Sequence, residues 1–225
     1  MIHIEAFDGH EALAAATAGL VAERLAVGGL FIATGGSTPG PVYDRLSRMD
    51  LPWSDISVTL TDERFVDPSD DESNARMIRG RLLTAKAAGA RLLPLRASGE
   101  TPTEDALAAE AWLSHLPTAA VELMGMGADG HVASLFPGAP ELAEGLNLDG
   151  QRLCLPAPEA RLAPFVPRIT LTARALIRTR LIVFLVTGED KKALIERILA
   201  DEAYAPPAAT FLRQDRCPVR VLWAA

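Results

Sequence analysis

Short apolar runs alternate with amphipathic stretches along the whole chain. Apolar runs of strand length predict six strands, at Ile2–Phe7, Leu30–Thr34, Ile56–Leu60, Ala119–Leu123, Leu181–Val186 and Val219–Trp223. Stretches with helical periodicity predict helices near residues 10–27, 40–48, 74–88, 103–115 and 190–200. This alternation is typical of the α/β class and predicts a mainly parallel sheet with helices on both of its faces.

Three further segments have a less regular pattern. Arg91–Leu95 and Leu153–Ala157 are additional candidates for strands. The proline-rich stretch from Leu155 to Pro167 is interpreted as a surface excursion, because the pattern of strands and helices resumes directly after it. The sequence contains no repeat and no clear linker, so its 225 residues predict a single domain over residues 1–225.

Composition and charge exclude several classes of partner. The formal net charge is -7 and no stretch concentrates Lys or Arg, whereas nucleic acid and anionic membranes require a basic face. The longest apolar run, Leu181–Val186, has the length of a strand and is too short to span a membrane. The N-terminus lacks the features of a secretory signal, so we expect a cytoplasmic location. Cys154 and Cys217 are expected to be ordinary buried thiols.

A glycine-rich loop follows the second predicted strand and leads into a predicted helix. This glycine loop, Gly35–Pro39, combines backbone freedom with two hydroxyl side chains. We expect the amides of Gly36, Ser37 and Thr38 to bind an anion such as phosphate. Thr38 would be the N-cap and Pro39 the first helical residue. A simple strand–turn–helix junction is the alternative, and a nucleophilic Ser37 is disfavoured because Pro39 stands where a serine-hydrolase elbow needs glycine.

An acidic segment follows the third predicted strand. Most acids in residues 62–71 have a structural explanation, since they solvate a loop and favour the N-terminus of the next helix. Arg64 differs from them, because its planar and permanently charged guanidinium suits phosphate, carboxylate or a developing oxyanion. An ion pair between Arg64 and either Asp62 or Glu63 is the structural alternative.

A second glycine-rich segment, the histidine turn (Gly125–Gly138), contains the spacing of a dinucleotide-binding fingerprint. That fingerprint requires a long helix starting within the glycines, and Pro137 leaves no room for one. The turn therefore predicts no nicotinamide cofactor. It does present His131 beside Asp129, whose carboxylate can orient the imidazole for general-base catalysis. The pair supplies too few ligands to predict a metal site.

Two cations near the C-terminal end are further candidates for ligand binding. Arg168 stands at the edge of a short apolar run, and Lys191 lies in the first turn of the last predicted helix. A lysine there opposes the helix dipole, and a bound anion would explain it. Lys192 has an ordinary partner at i+4 in Glu196. We therefore assign Lys191 to a ligand and Lys192 to solvent.

Taken together, these segments resemble the 6-phosphogluconolactonase family over nearly the whole chain. The matching stretches, in order, are Gly35–Pro39, Asp62–Arg64 with Ser73–Asn74, Gly125–Gly138, Arg168–Thr172, Thr187–Lys191, Pro207–Ala209 and Val219–Trp223. The resemblance implies a modified Rossmann-like fold with three layers, α/β/α. It also implies hydrolysis of 6-phospho-D-glucono-1,5-lactone in the pentose phosphate pathway, without a cofactor.

The same resemblance implies roles for individual residues. The residue matching His131 acts as the base, and those matching Arg64, Arg168 and Lys191 handle charged groups of the substrate. Together with the anion site expected at the glycine loop, these roles predict a phosphate site at Gly36–Thr38 with Arg168 and Lys191. Either Arg64 or amides of the histidine turn would hold the oxyanion.

Two other functions are weighed against this one. The related glucosamine-6-phosphate deaminase/isomerase family has similar loops, but its carboxylate relay uses an acid five residues beyond the histidine, where this chain has Phe136. Phenylalanine can neither accept a proton nor orient an imidazole through a hydrogen bond. A non-catalytic sugar-phosphate sensor would be expected to carry a DNA-binding module, and no basic helix-turn-helix pattern is evident in the sequence.

Overall fold

The computed structural model describes residues 2–158 and 163–225. The strands in these ranges are β1 (Ile4–Phe7), β2 (Gly29–Ala33), β3 (Ile56–Leu60), β4 (Asp62–Arg64), β5 (Arg91–Leu92), β6 (Val121–Met124), β7 (Cys154–Ala157), β8 (Arg168–Leu171), β9 (Ile182–Thr187) and β10 (Val219–Ala224). The helices are α1 (His10–Arg24), α2 (Gly40–Leu46), α3 (Asn74–Arg81), α4 (Pro102–Leu113), α5 (Leu142–Gly145), α6 (Ala173–Leu176), α7 (Glu189–Ala200) and α8 (Pro207–Arg213). Short 3-10 helices occupy Trp53–Asp55 and Ala85–Gly89.

Seven strands form a central parallel sheet in the order β1-β10-β9-β6-β2-β3-β5. Its middle strands are apolar and buried, as expected for a parallel sheet with both faces covered. The helices lie on the two faces, which gives the predicted three-layer α/β/α fold of the Rossmann-like type. All six predicted strands and both additional candidates are present, so this part of the prediction is confirmed.

A second, antiparallel sheet with the order β4-β8-β7 was not predicted. The chain passes from one sheet to the other at Thr61. The Thr61 amide donates a hydrogen bond to Ala33 O of β2 at 2.9 Å, and its carbonyl accepts one from the Leu171 amide of β8 at 2.9 Å. The small sheet is therefore attached at the carboxyl end of the central one.

Several predicted boundaries are wrong. The predicted helix 74–88 divides into α3 and the 3-10 helix at Ala85–Gly89, and α5 and α8 were not predicted. Helix α2 begins at Gly40 with Pro39 as its N-cap and no side-chain cap, so Thr38 is not the N-cap. The stretch Leu155–Pro167 is not wholly a surface excursion, because its first residues belong to β7 and pair with β8. Residues 159–162 of that stretch lie outside the described ranges.

Two other predictions can be compared with the structure. Cys154 and Cys217 are both buried and both free thiols, as expected. Within the described ranges, none of the helices has the length and apolar character needed to cross a bilayer.

Candidate active site

A cleft of about 290 Å³ opens where polar segments follow the carboxyl ends of β2, β3, β6 and β9. Parallel α/β sheets typically bind their ligands at this edge. Seven of the eight predicted site residues line the cleft: Gly36, Ser37, Thr38, Arg64, His131, Arg168 and Lys191. The eighth, Asp129, contacts the imidazole of His131. The fold therefore brings together the predicted site residues, which are distant from one another in the sequence.

The glycine loop forms one wall of the cleft and is anchored at its start. The buried Tyr43 hydroxyl accepts a hydrogen bond from Thr34 N at 3.0 Å and donates one to Thr34 O at 2.7 Å. Gly36 has φ +98°, a conformation that favours glycine. Among the contacts of the described residues, none involves the amides of Gly36, Ser37 or Thr38 as hydrogen-bond donors. These amides are therefore available to an anion in the cleft.

Glu63 has a structural role beside the cleft. Its carboxylate accepts hydrogen bonds from the amides of Arg64, Asn74 and Ala75, each at 2.7 Å. Two of those amides belong to the first turn of α3, so Glu63 caps that helix. Burial nevertheless raises the pKa of Glu63, and these hydrogen bonds offset only part of that effect.

The guanidinium of Arg64 forms hydrogen bonds with groups other than the carboxylates of Asp62 and Glu63, which were its alternative partners. Its Nη1 donates hydrogen bonds to Glu72 O at 2.7 Å and to Asn74 Oδ1 at 2.8 Å. The buried Asn74 also donates from Nδ2 to Asp62 O at 2.8 Å. This leaves Arg64 at the wall of the cleft in a fixed orientation.

Arg168 is paired opposite Arg64 in the ladder between β4 and β8. Its Nη1 lies 3.9 Å from Asp62 Oδ2, and its Nη2 donates a long hydrogen bond to Pro164 O at 3.4 Å. Burial lowers the pKa of Arg168, Asp62 opposes that effect, and the charge of Arg64 adds to it. The same Asp62 carboxylate accepts a hydrogen bond from Ser134 Oγ at 2.6 Å.

The histidine turn places the imidazole at the cleft. His131 Nδ1 lies 2.6 Å from Asp129 Oδ1, and the same oxygen accepts from the His131 amide at 3.1 Å. A β-carbon on Gly127 would collide with the His131 ring, so this position requires glycine. The Gly127 amide donates to His131 O at 2.9 Å, which closes the turn. Residues 131–136 contain no helix, in agreement with the rejection of a dinucleotide fingerprint.

The two adjacent lysines have different surroundings. Lys191 lines the cleft from the first turn of α7. Lys192 lies 3.8 Å from Glu196 and packs over the ring of Trp223. Lys192 was assigned to solvent, but its side chain is only partly exposed because of these contacts. The assignment of Lys191 to a ligand stays a prediction.

Sequence reasoning did not predict that several other residues organise the cleft. Through buried hydrogen bonds, Asp62 of β4 is joined to Asn74 at the start of α3 and to Ser134 of the histidine turn. Ser73-Asn74 was noted only as part of a family motif, and its contacts depend on how β4 lies against α3. A buried polar network of this kind leaves no periodic signal in a single sequence.

Comparison with known proteins identifies the family. The family model described as "Glucosamine-6-phosphate isomerases/6-phosphogluconolactonase" matches residues 8–223. The chain belongs to this family. Relatives named 6-phosphogluconolactonase include one from Caulobacter vibrioides, 47% identical over 99% of this chain and 97% of that protein. Another, from Mesorhizobium japonicum, is 39% identical over 97% of this chain and 94% of its own length.

Solved structures of the family have the same fold. A crystal structure of a 6-phosphogluconolactonase from Shewanella baltica superimposes with a TM-score of 0.93 at 33% identity, covering 100% of this chain and 98% of that one. A monomeric glucosamine-6-phosphate deaminase also superimposes, with a TM-score of 0.81 at 18% identity over 99% of this chain and 97% of that chain. The second comparison concerns the fold alone.

Proposed function

We propose that this chain hydrolyses 6-phospho-D-glucono-1,5-lactone to 6-phosphogluconate, with His131 as the general base. The observation that carries the proposal is the shared cleft, which His131 lines together with the free amides of the glycine loop and three cationic side chains. A lactone hydrolase also agrees with the names of the curated relatives.

The phosphate of the substrate is proposed to bind the glycine loop. The amides of Gly36, Ser37 and Thr38 can donate to its oxygens, and Arg168 and Lys191 can neutralise its charge. The net charge of the chain is -7, so attraction of this anion depends on these few placed cations. Binding at the phosphate would then fix the lactone ring within the cleft.

The reaction is proposed to begin with attack of water on the lactone carbonyl. Neutral His131 takes the proton from that water, while Asp129 holds Nδ1 and stabilises the imidazolium that forms. The resulting oxyanion can be held by Arg64 or by an amide of the histidine turn. When the bond between the carbonyl carbon and the ring oxygen breaks, His131 returns the proton to that oxygen. The products are a hydroxyl group and a carboxylic acid, which then ionises.

The test is a lactone-consumption assay corrected for spontaneous ring opening. General acid–base catalysis contributes roughly 10²–10⁴-fold, so His131→Ala should lower kcat by at least about 100-fold. Binding of 6-phosphogluconate, measured by calorimetry, should change little. His115→Ala is the matched control, because His115 is exposed beyond the end of α4. Turnover by His131→Ala close to that of the control would remove His131 from the role of base.

The same preparation distinguishes the other two functions. Release of ammonia from glucosamine 6-phosphate would indicate deaminase activity. Tight binding of 6-phosphogluconate without any turnover of the lactone would indicate a sensor. We expect neither result.

A further inference from the structure

The aromatic ring of Phe136 contacts two of the proposed functional groups at once. Its centroid lies 4.7 Å from that of the His131 ring, with the two planes inclined by 50°. The guanidinium carbon of Arg168 lies 5.4 Å from the same centroid. Phe136 is 1% exposed, so its ring is shielded from bulk solvent.

His131 needs this packing because its hydrogen-bonded partner is not buried. The side chain of Asp129 is 43% exposed, while that of His131 is 19% exposed. Water competes for a carboxylate in such a position, which weakens the constraint that a hydrogen bond to it can impose. A buried aromatic contact is not subject to that competition and restricts the tilt of the imidazole directly.

Phe136 is itself fixed to the rest of the site. Two residues before it, Ser134 donates from N to Thr170 Oγ1 at 3.2 Å and from Oγ to Asp62 Oδ2 at 2.6 Å. The Phe136 carbonyl accepts from the Ala139 amide at 3.1 Å. The histidine turn is thus tied to β4 and β8, the strands that carry Arg64 and Arg168. A ring in this position can hold the distance between the turn and β8.

We propose that Phe136 is a positioning residue that keeps the imidazole of His131 and the guanidinium of Arg168 in a fixed relative arrangement. This inference rests on the proposed function, in which His131 acts on the lactone and Arg168 binds the phosphate. The ring of Phe136 would then set the distance between the base and the anion site. That distance has to correspond to the distance between the lactone carbonyl and the phosphate of the substrate. Phe136 itself takes no part in the chemistry.

The proposal predicts two separable losses in Phe136→Leu, which removes the aromatic faces and keeps an apolar side chain. Displacement of His131 should lower kcat at least tenfold. Displacement of Arg168 should weaken binding of 6-phosphogluconate at least threefold, measured by calorimetry in a His131→Ala background where turnover does not interfere. Phe184→Leu is the matched control, because Phe184 is a fully buried phenylalanine of β9 that does not line the cleft. We expect the control to change both quantities less than twofold.

Two further measurements keep the test decisive. If Phe136→Leu does not fold, Phe136→Met fills the space with a more flexible apolar side chain and should give the same two losses. In the wild-type protein, nuclear Overhauser effects between the ring protons of His131 and Phe136 should be observed whether or not the protein turns over lactone. Their absence would overturn the proposal, and so would variants that match Phe184→Leu or that change only one of the two quantities. Lack of lactone turnover by the wild-type protein would instead count against the proposed function.

Discussion

The imidazole of His131 lies so close to the Cα of Gly127 that no β-carbon fits between them. The glycine is therefore required by the position of the ring, and not by its own backbone conformation. The two residues belong to one turn, which the hydrogen bond between Gly127 N and His131 O closes. The activity of the site should consequently be sensitive to a single methyl group at this glycine.

Gly127→Ala should displace the imidazole from Asp129 and lower kcat at least tenfold. The change adds one methyl group, which must push aside either the ring or the turn. Steady-state kinetics on the lactone measure the effect. Gly80→Ala is the control, because Gly80 lies in α3 and a β-carbon there meets nothing within 4 Å. Equal activity of both variants would contradict the placement of His131.

Lys191→Ala should raise KM for the lactone at least fivefold, whereas Lys192→Ala should change it less than twofold. Lys191 lines the cleft, while Lys192 pairs with Glu196 and packs on Trp223. Since the proposed interaction is between charges, the difference between the variants should shrink as salt is added. Reversed effects of the two substitutions would mean that the anion site lies elsewhere.

Tyr43→Phe should destabilise the protein by about 1–3 kcal/mol and raise KM, because it leaves buried polar groups unsatisfied. The hydroxyl of Tyr43 is the hydrogen-bond partner of both backbone groups of Thr34. Denaturant unfolding measures the first effect and lactone kinetics the second. Tyr204→Phe serves as the control, because Tyr204 packs its ring against Arg197 outside the cleft. A Tyr43→Phe protein as stable as this control would contradict the prediction.

Glu122 should make the protein less stable as the pH rises above 4.5, the ordinary pKa of its carboxyl group. The group lies in the middle of the central sheet, and no described residue forms a hydrogen bond with either of its oxygens. Burial raises its pKa well above that ordinary value. Between these two pKa values the folded protein holds a proton that the unfolded chain has lost. Below pH 4.5, Glu122 therefore does not lower the stability of the protein. Above pH 4.5, it lowers the free energy of unfolding by up to about 1.4 kcal/mol per pH unit.

Urea unfolding of Glu122→Gln at about pH 5, 6.5 and 8 tests this assignment. The decline of unfolding free energy with pH should be shallower than in the wild-type protein. Some decline should remain, because the pKa of Glu63 is also raised. Glu144→Gln, at an exposed position, should leave the slope unchanged. A slope unaffected by Glu122→Gln would mean that water or movement relieves the burial of this carboxyl group.

The central sheet was predictable because its strands are apolar and separated by helical patterns. The family and the enzyme class predicted from the sequence are confirmed. The small antiparallel sheet was missed because β4, Asp62–Arg64, consists of three charged residues and has the composition of a turn. Its pairing with β8 depends on contacts across the chain that local patterns do not record. The single domain and the cytoplasmic location stay predictions.

The candidate site was predictable as a set of chemical groups, but not as an arrangement. His131 and Lys191 follow the carboxyl ends of β6 and β9, which the parallel sheet brings together. Arg168 instead reaches the cleft from β8 of the small antiparallel sheet, which was not predicted. The contacts of Phe136 could not be predicted from the sequence. There, Phe136 was used only to distinguish this chain from the deaminase/isomerase family, which has an acid at the same position. The capping role of Glu63 likewise depends on where α3 begins relative to β4.

The register of β4 and β8 has a consequence for the response of the protein to anions. Because Arg64 and Arg168 are directly opposed, their side chains project from the same side of the ladder, and two like charges repel each other there. Asp62, whose Oδ2 lies 3.9 Å from Arg168 Nη1, offsets part of this repulsion. An anion bound in the cleft, which both guanidinium groups line, should offset more of it. The melting temperature should consequently rise as more of the protein has an anion bound in the cleft. Inorganic phosphate alone should therefore increase it.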